Sequence, residues 1–294
     1  MIRIGLIGAE NSHAAAFASL ANLPDASGNM RYPELRVTAI WGETPQAAAK
    51  VAAQCAIPHQ VPSPEHMLGE VDAVMVLLRR GSEHRRFAMP FVSEGIPTWV
   101  DKPFAVAMTD ALDMVAEAKK KGTLLAGGST CKYCPDVLAL QGMCRELQKG
   151  AGILSGGFNF PGEIDSSYDG IYFYAGHAAE ILTTIFGHDV RSVKSDVYRG
   201  NVLSLFRYPD FTVSVNFSEV SAFYAQIYSA EKVVNQPIDI STVYRHGFDK
   251  FAEALKSGRM VESYESLLHP VAILNALEES IATGSEVRVR MPSF

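Results

Sequence analysis

After its single aspartate, the stretch VDAVMVLL at residues 71–78 runs six apolar residues in a row with no polar alternation. A strand of that kind is buried on both faces, as happens when helices cover both sides of a parallel sheet. Its surroundings agree. Residues 3–8 are a short apolar run, residues 12–23 an alanine-rich helix with Ser12 as its expected N-cap, and Leu35–Trp41 is strand-like again. Residues 45–55 open a helix with Pro45 in its first turn, and residues 82–94 read as a helix that Pro90 should kink. A short strand at 98–100 precedes a helix at 109–121, closed by three lysines and Gly122, which puts positive charge at the C-terminal dipole end; residues 123–126 give another strand. This βαβα succession predicts a doubly wound Rossmann sheet over residues 1–128, with a ligand at the carboxyl ends of its strands.

Beyond residue 128 the rhythm changes. A helix at 135–148 is followed by strand-like runs at 152–160, 190–198, 202–208, 211–217 and 223–228, with a helix at 174–186 among them and two more, 244–257 and 264–283, at the end. Residues 129–294 therefore read as an α+β domain with a mainly antiparallel sheet.

Composition limits the partners. A net charge of −6 lacks the basic footprint that nucleic acid or an anionic membrane needs, so the expected partner is a small molecule. No apolar run approaches the roughly 18 residues of a membrane span, and MIRIGLIG is too short an apolar run for a signal peptide, so a cytoplasmic location is expected. Cys131 and Cys134 form a CxxC, but no second pair or histidine follows at zinc spacing; chance spacing at a helix start is the reading, and no metal is expected.

The loop after the first strand, LIGAENSHAAAF, should carry the dinucleotide fingerprint GxGxxG, whose glycines make the turn, admit the pyrophosphate and let helix pack on strand. Gly8 is the first; Glu10 and His13 stand at the other two places. A carboxylate at position 10 would repel a pyrophosphate unless turned away or neutralised. The helix N-terminus still offers free N–H groups, with Ser12 or His13 adding a donor. After VDAVMVLL come Arg79 and Arg80, which can pair with Glu10, contact phosphates or hold an acidic substrate; the three stay open.

Asp101-Lys102-Pro103, straight after the strand at 98–100, resembles the Glu-Lys-Pro of the glucose–fructose oxidoreductase / inositol dehydrogenase / rhizopine-catabolism family of NAD(P)-dependent oxidoreductases. The likeness extends to His84 opening the next helix, to Lys132-Tyr133-Cys134-Pro135, similar to that family's Arg-Phe-x-Pro, and to Gly176-His177, similar to the end of its Asp-x-Gly-x-His. The resemblance implies hydride transfer between a nicotinamide and a carbinol carbon of a sugar, inositol or related compound. It implies Lys102 and His177 lining one cleft as catalytic residues, His177 as proton acceptor and Lys102 holding the substrate oxygen. Cofactor contacts are expected from Gly8, Ser12, His13, Glu43, Arg79, His84, Asp101 and Pro103, and substrate contacts from Lys102, Tyr133, Tyr172 and Tyr174.

Two departures accompany it. Four residues before His177 the family's aspartate is replaced by Phe173, leaving Tyr168, Asp169, Tyr172 or Tyr174 to take its part. The family's ribose-reading aspartate falls on Gly42, with Glu43 beside it and no arginine close behind, which favours NAD over NADP. A homo-oligomer through the C-terminal sheet is expected. The alternative is a non-catalytic ligand- or nucleotide-binding protein on the same scaffold.

Overall fold

A computed structural model describes residues 1–218 and 220–292. The chain divides into two compact units, the first made of Met1–Ala105, Thr109–Gly128 and Tyr244–Leu267, the second of Val106–Met108, Ser129–Val243 and the chain from Leu268 onward.

The first unit contains β1 (Ile2–Ile7), α1 (Ser12–Asn22), β2 (Leu35–Trp41), α2 (Pro45–Gln54), β3 (His59–Gln60), β4 (Ala73–Val76), α3 (His84–Ser93), β5 (Thr98–Val100), α4 (Met108–Lys121) and β6 (Leu125–Gly127). Its strands are all parallel, in the order β3-β2-β1-β4-β5-β6. The order reverses at β1 and β4, where a doubly wound sheet opens its ligand crevice. All four residues of β4 are buried, as its unbroken apolar run requires. α3 continues through Pro90 after a single 3₁₀ turn at Gly81–Glu83.

In the second unit follow α5 (Pro135–Lys149), β7 (Ile153–Pro161), α6 (Tyr172–Phe186), β8 (Ser192–Tyr198), β9 (Asn201–Arg207), β10 (Thr212–Ser218), β11 (Tyr224–Ser229) and β12 (Val233–Pro237); α7 (Val243–Ser257), α8 (Tyr264–Thr283) and β13 (Val287–Arg288) close the chain. The sheet order is β12-β11-β7-β10-β9-β8-β13, with β7 and β10 parallel and the other pairings antiparallel. Its alternation points Val213, Val215 and Phe217 of β10, with Phe158 and Phe206 beside them, into the core. α6 is apolar nearly all round and is buried accordingly.

A division at residue 128 alone misplaces residues 244–267, which belong to the first unit. The physical reason is aromatic. Phe248 and Phe251 of α7 are fully buried, Phe248 stacking on Phe17 at 5.9 Å and meeting Tyr32 at 4.8 Å, Phe251 standing edge-on to Trp99 at 5.8 Å. Tyr32 of that cluster and the adjacent Arg31 both donate to Asp249. No helix among the described residues is long and apolar enough to cross a membrane.

Candidate functional site

Parallel register ends β1, β4 and β5 together, Ile7 pairing with Val76 and Val76 with Val100. Three loops, residues 8–11, 77–81 and 101–103, therefore leave one edge of the sheet. Gly8 has φ +111°, and a Cβ there would lie 2.8 Å from the Leu77 carbonyl carbon and the Leu78 nitrogen. Only glycine allows both the backbone conformation and the approach.

Asn11, not Ser12, caps α1: its Oδ1 accepts the His13 N–H. Its amide donates to the Leu77 carbonyl at 3.0 Å and to Asp101 Oδ2 at 3.2 Å, so one side chain ties all three loops. His13 Nδ1 meets the same Asp101 oxygen at 2.6 Å. Burial pushes the Asp101 carboxyl up, but the charge and hydrogen bond of His13, with Lys102 and His84 adding to them, more than reverse it and hold it below the usual carboxylate range. Asp101 Oδ1 has no hydrogen-bond partner among the described residues, and the neighbouring Lys102 is only 3% exposed.

Two expected cofactor contacts are corrected by this arrangement. His13 occupies the third-glycine place without obstructing the loop, because its ring turns inward to Asp101, with Tyr244 at 4.9 Å and Phe17 at 6.3 Å; it supports the loop rather than meeting a phosphate. His84 is fully buried, with Nδ1 2.8 Å from the Pro103 carbonyl and Nε2 3.0 Å from the Leu78 carbonyl. Each ring nitrogen lies against a backbone carbonyl, and the ring N–H donates to one of them, so His84 packs between the loop carrying Lys102 and the loop after β4. Pro103 takes part through that carbonyl.

Outside the α1 N-terminus lies a cavity of about 450 Å³, lined by Ala9, Glu10, Asn11, Ser12, Ala15, Ala47, Lys50, Val51, Gln54 and Arg79. Ser12 and Arg79 are among its lining residues. Glu43 is exposed and is not among the lining residues, whereas Glu10 is. Glu10 is turned toward the start of α2, where its Oε1 accepts from Thr44 N–H at 2.8 Å and Thr44 Oγ at 3.1 Å. The repulsion expected of a carboxylate at position 10 is met by this turn. Beside the Gly8 turn, the cavity offers a helix N-terminus and two cationic side chains, and Glu10, which lines it, has a buried Oε2 without a protein partner among the described residues; this set suits the phosphoribose end of NAD.

The second unit holds its own cluster at the start of α6. His177 is half-buried, its Nδ1 2.6 Å from Ser129 Oγ, with Cys131 Sγ at 3.6 Å and the Phe160 ring at 5.7 Å. One turn on, Glu180 accepts from the Ser129 N–H at 3.3 Å and pairs with Lys132 Nζ at 3.3 Å, both side chains buried. Residues 177 and 180 share a helix face, so the spacing H-x-x-E carried a signal for Glu180. Nothing in the sequence around Ser129 marked it as the residue both would reach. Tyr133 is half-buried with Lys132 Nζ 5.3 Å from its ring.

Phe173, where the aspartate was expected, packs between Tyr168 at 5.2 Å and Tyr174 at 4.9 Å. Tyr172 does not offer a ready phenolate. Burial pushes its hydroxyl up to about 12, only partly offset by the hydrogen bond from Asn275 at 3.0 Å, so it stays a neutral, buried phenol. The Cys134 thiol is likewise pushed up to about 12, chiefly by burial, against thiolate chemistry in the CxxC. No three His, Cys, Asp or Glu side chains gather as a metal-holding group among the described residues.

Residues 2–129 match the model of an oxidoreductase family with an NAD-binding Rossmann fold. Among solved structures, a myo-inositol dehydrogenase from Lactobacillus casei in complex with NAD(H) and myo-inositol aligns with a TM-score of 0.84 at 14% identity, covering 100% of this chain and 98% of that one. A probable dehydrogenase from Thermotoga maritima aligns at 0.82 and 15% identity, over 98% and 99% of the two chains. GenD2 from gentamicin A biosynthesis, in complex with NAD, aligns at 0.82 and 13% identity, over 99% and 97%. No curated protein matches the chain by sequence. At these identities the structures establish the shared two-unit fold, and the family match rests on the first unit. Residues 2–129 are thus similar to the glucose–fructose oxidoreductase / inositol dehydrogenase / rhizopine-catabolism family of oxidoreductases, and the chain shares its fold over its whole length with dehydrogenases of solved structure.

Proposed function

We propose that the chain is an NAD-dependent oxidoreductase acting on the CH–OH group of a sugar, inositol or related hydroxy compound. The observation that carries this reading is the buried Lys102 directly after Asp101, whose carboxylate is bonded to two residues of the glycine-loop helix start, Asn11 and His13. A charged amine fixed at that sheet edge suits an oxygen that gains negative charge as a hydride leaves its carbon. NAD, when bound, supplies the hydride acceptor. Gly8, Ser12 and Arg79, with the α1 N-terminus, are assigned to its phosphates.

His177 is assigned as the proton acceptor. With Nδ1–H donating to Ser129 Oγ, the proton of the substrate hydroxyl is received at Nε2. Ser129 is then a positioning residue that holds the ring in place. Ser129→Ala should lower kcat about tenfold, the worth of one good hydrogen bond, and displace the acid limb of the pH profile, with Ser129→Thr restoring much of both. An unchanged pH profile in Ser129→Ala would remove Ser129 from this role. Tyr133 and Tyr174 remain the proposed substrate contacts.

The test of the function is NAD reduction by the purified protein, followed at 340 nm with a panel of sugars, inositols and uronic acids. Turnover of at least one with NAD supports the reading. Cofactor binding with no turnover across the panel would favour a binding protein instead, a reading that Phe173 in place of the aspartate supports.

The same proposal includes a homo-oligomer. The outer face of the second sheet presents Leu203, 49% exposed, Tyr224, 39%, and Val233, 60%, around a polar row from Asn159 and Asn216. Exposed apolar side chains distributed over an open sheet face suit a self-complementary interface. Light scattering should give a mass above the monomer's, and Leu203→Glu should shift it toward the monomer.

A further inference from the structure

We infer that Glu10, in the glycine loop, is the carboxylate that receives the adenosine ribose hydroxyls, replacing an acid at the end of β2. The inference rests on the NAD reading above and assigns its nucleotide specificity.

Three observations carry it. Residue 42, first after β2, is a glycine without a positive φ, so its backbone would admit a side chain; a Cβ there would lie 3.1 Å from Glu10 Oε1 and 2.9 Å from Ala9 Cβ. The space above the end of β2 is therefore filled from the other loop. Second, the Glu10 carboxylate is fixed, not swinging: Oε1 is held by the N–H and hydroxyl of Thr44, the residue that caps α2. Third, its other oxygen, Oε2, is buried with no partner among the described residues, and Glu10 lines the cavity of about 450 Å³ beside the α1 N-terminus. A buried carboxylate oxygen left without a donor is costly, and a ribose hydroxyl is a donor of the right kind.

The same carboxylate sets the preference between nucleotides. A hydroxyl donates to it; a 2′-phosphate meets like charge at close range. Lys50 and Arg79 also line the cavity; Arg79 is assigned to the pyrophosphate, and Lys50 is exposed on α2. Exposed charges are screened by water and salt, so Glu10 decides the outcome.

Fluorescence titration reads the result without turnover. Wild type should bind NADH at least tenfold more tightly than NADPH. Glu10→Gln and Glu10→Ala should each weaken NADH about tenfold and bring the two nucleotides within a few-fold. An NADH analogue lacking the adenosine 2′- or 3′-hydroxyl should bind wild type about tenfold more weakly than NADH and bind Glu10→Ala no differently from NADH. If wild type binds NADH but Glu10→Ala binds it as well or better, Glu10 merely fills the space and this inference fails alone. If wild type binds neither nucleotide, the NAD reading fails with it.

Discussion

Lys102→Met is expected to lower kcat by about two to three orders of magnitude while NADH binds within a few-fold of wild type. Lys102 is buried, follows a carboxylate tied into the glycine-loop helix, and sits on the loop whose backbone His84 packs against. A preorganised charge aimed where an alkoxide develops contributes about 10²–10³ in rate in other enzymes. Methionine keeps the length and apolar stem of the side chain and removes the charge, so packing should survive. Single-turnover kinetics with saturating cofactor separates the two: the loss belongs in the chemical step, not in KM for NAD. Turnover unchanged in Lys102→Met would remove Lys102 from the reacting centre even if the protein is an oxidoreductase.

Asp101→Ala is expected to give the largest loss of stability, about 3–5 kcal/mol, or roughly 10 °C in Tm. It removes the acceptor shared by His13 and Asn11 in a place where Asp101 is 1% exposed, leaving two buried polar groups to find other partners. The pH dependence has a definite sign. Because the folded Asp101 carboxyl is held below its ordinary value, its stabilisation is fully present above the ordinary carboxylate range and is lost as pH falls through the folded value. Denaturant melts of wild type should therefore weaken in acid. Asp101→Asn should start lower at neutral pH and show a shallower acid decline. Identical acid slopes would mean that Asp101 is not ionised in the folded chain.

Much of the fold was legible because it follows from burial. β4 is unbroken apolar sequence, and β9 and β10 alternate, so a two-faced parallel strand and one-faced sheet strands were readable from pattern alone. The short strands β3, β12 and β13 carry no such pattern; β3 and β13 are two residues each, and β12 ends in Asn235, Gln236 and Pro237. The return of α7 to the first unit was illegible for a different reason. Its apolar stripe shows that it packs, but only the three-dimensional neighbours Phe17 and Trp99 decide on what.

The site divides in the same way. The glycine turn at Gly8 and the position of Lys102 just after β5 were legible in the sequence, because a positive φ at a turn and a residue following a short strand are local facts. The places of His13, His84 and Glu10 were not. Each is settled by a partner far along the chain: Asp101 for His13, Leu78 and Pro103 for His84, Thr44 for Glu10. The loop that looked short of two glycines is instead a loop in which one missing glycine is a histidine turned inward to Asp101 and the other a carboxylate turned to Thr44 at the start of α2.

The most direct measurement is equilibrium titration of the purified wild-type protein with NADH, followed by cofactor fluorescence. Saturable binding of NADH well below 1 mM, displaced by NAD, is the outcome predicted by the glycine turn, the α1 N-terminus and the 450 Å³ cavity beside it. No binding of NADH at millimolar concentration would contradict the account at its centre.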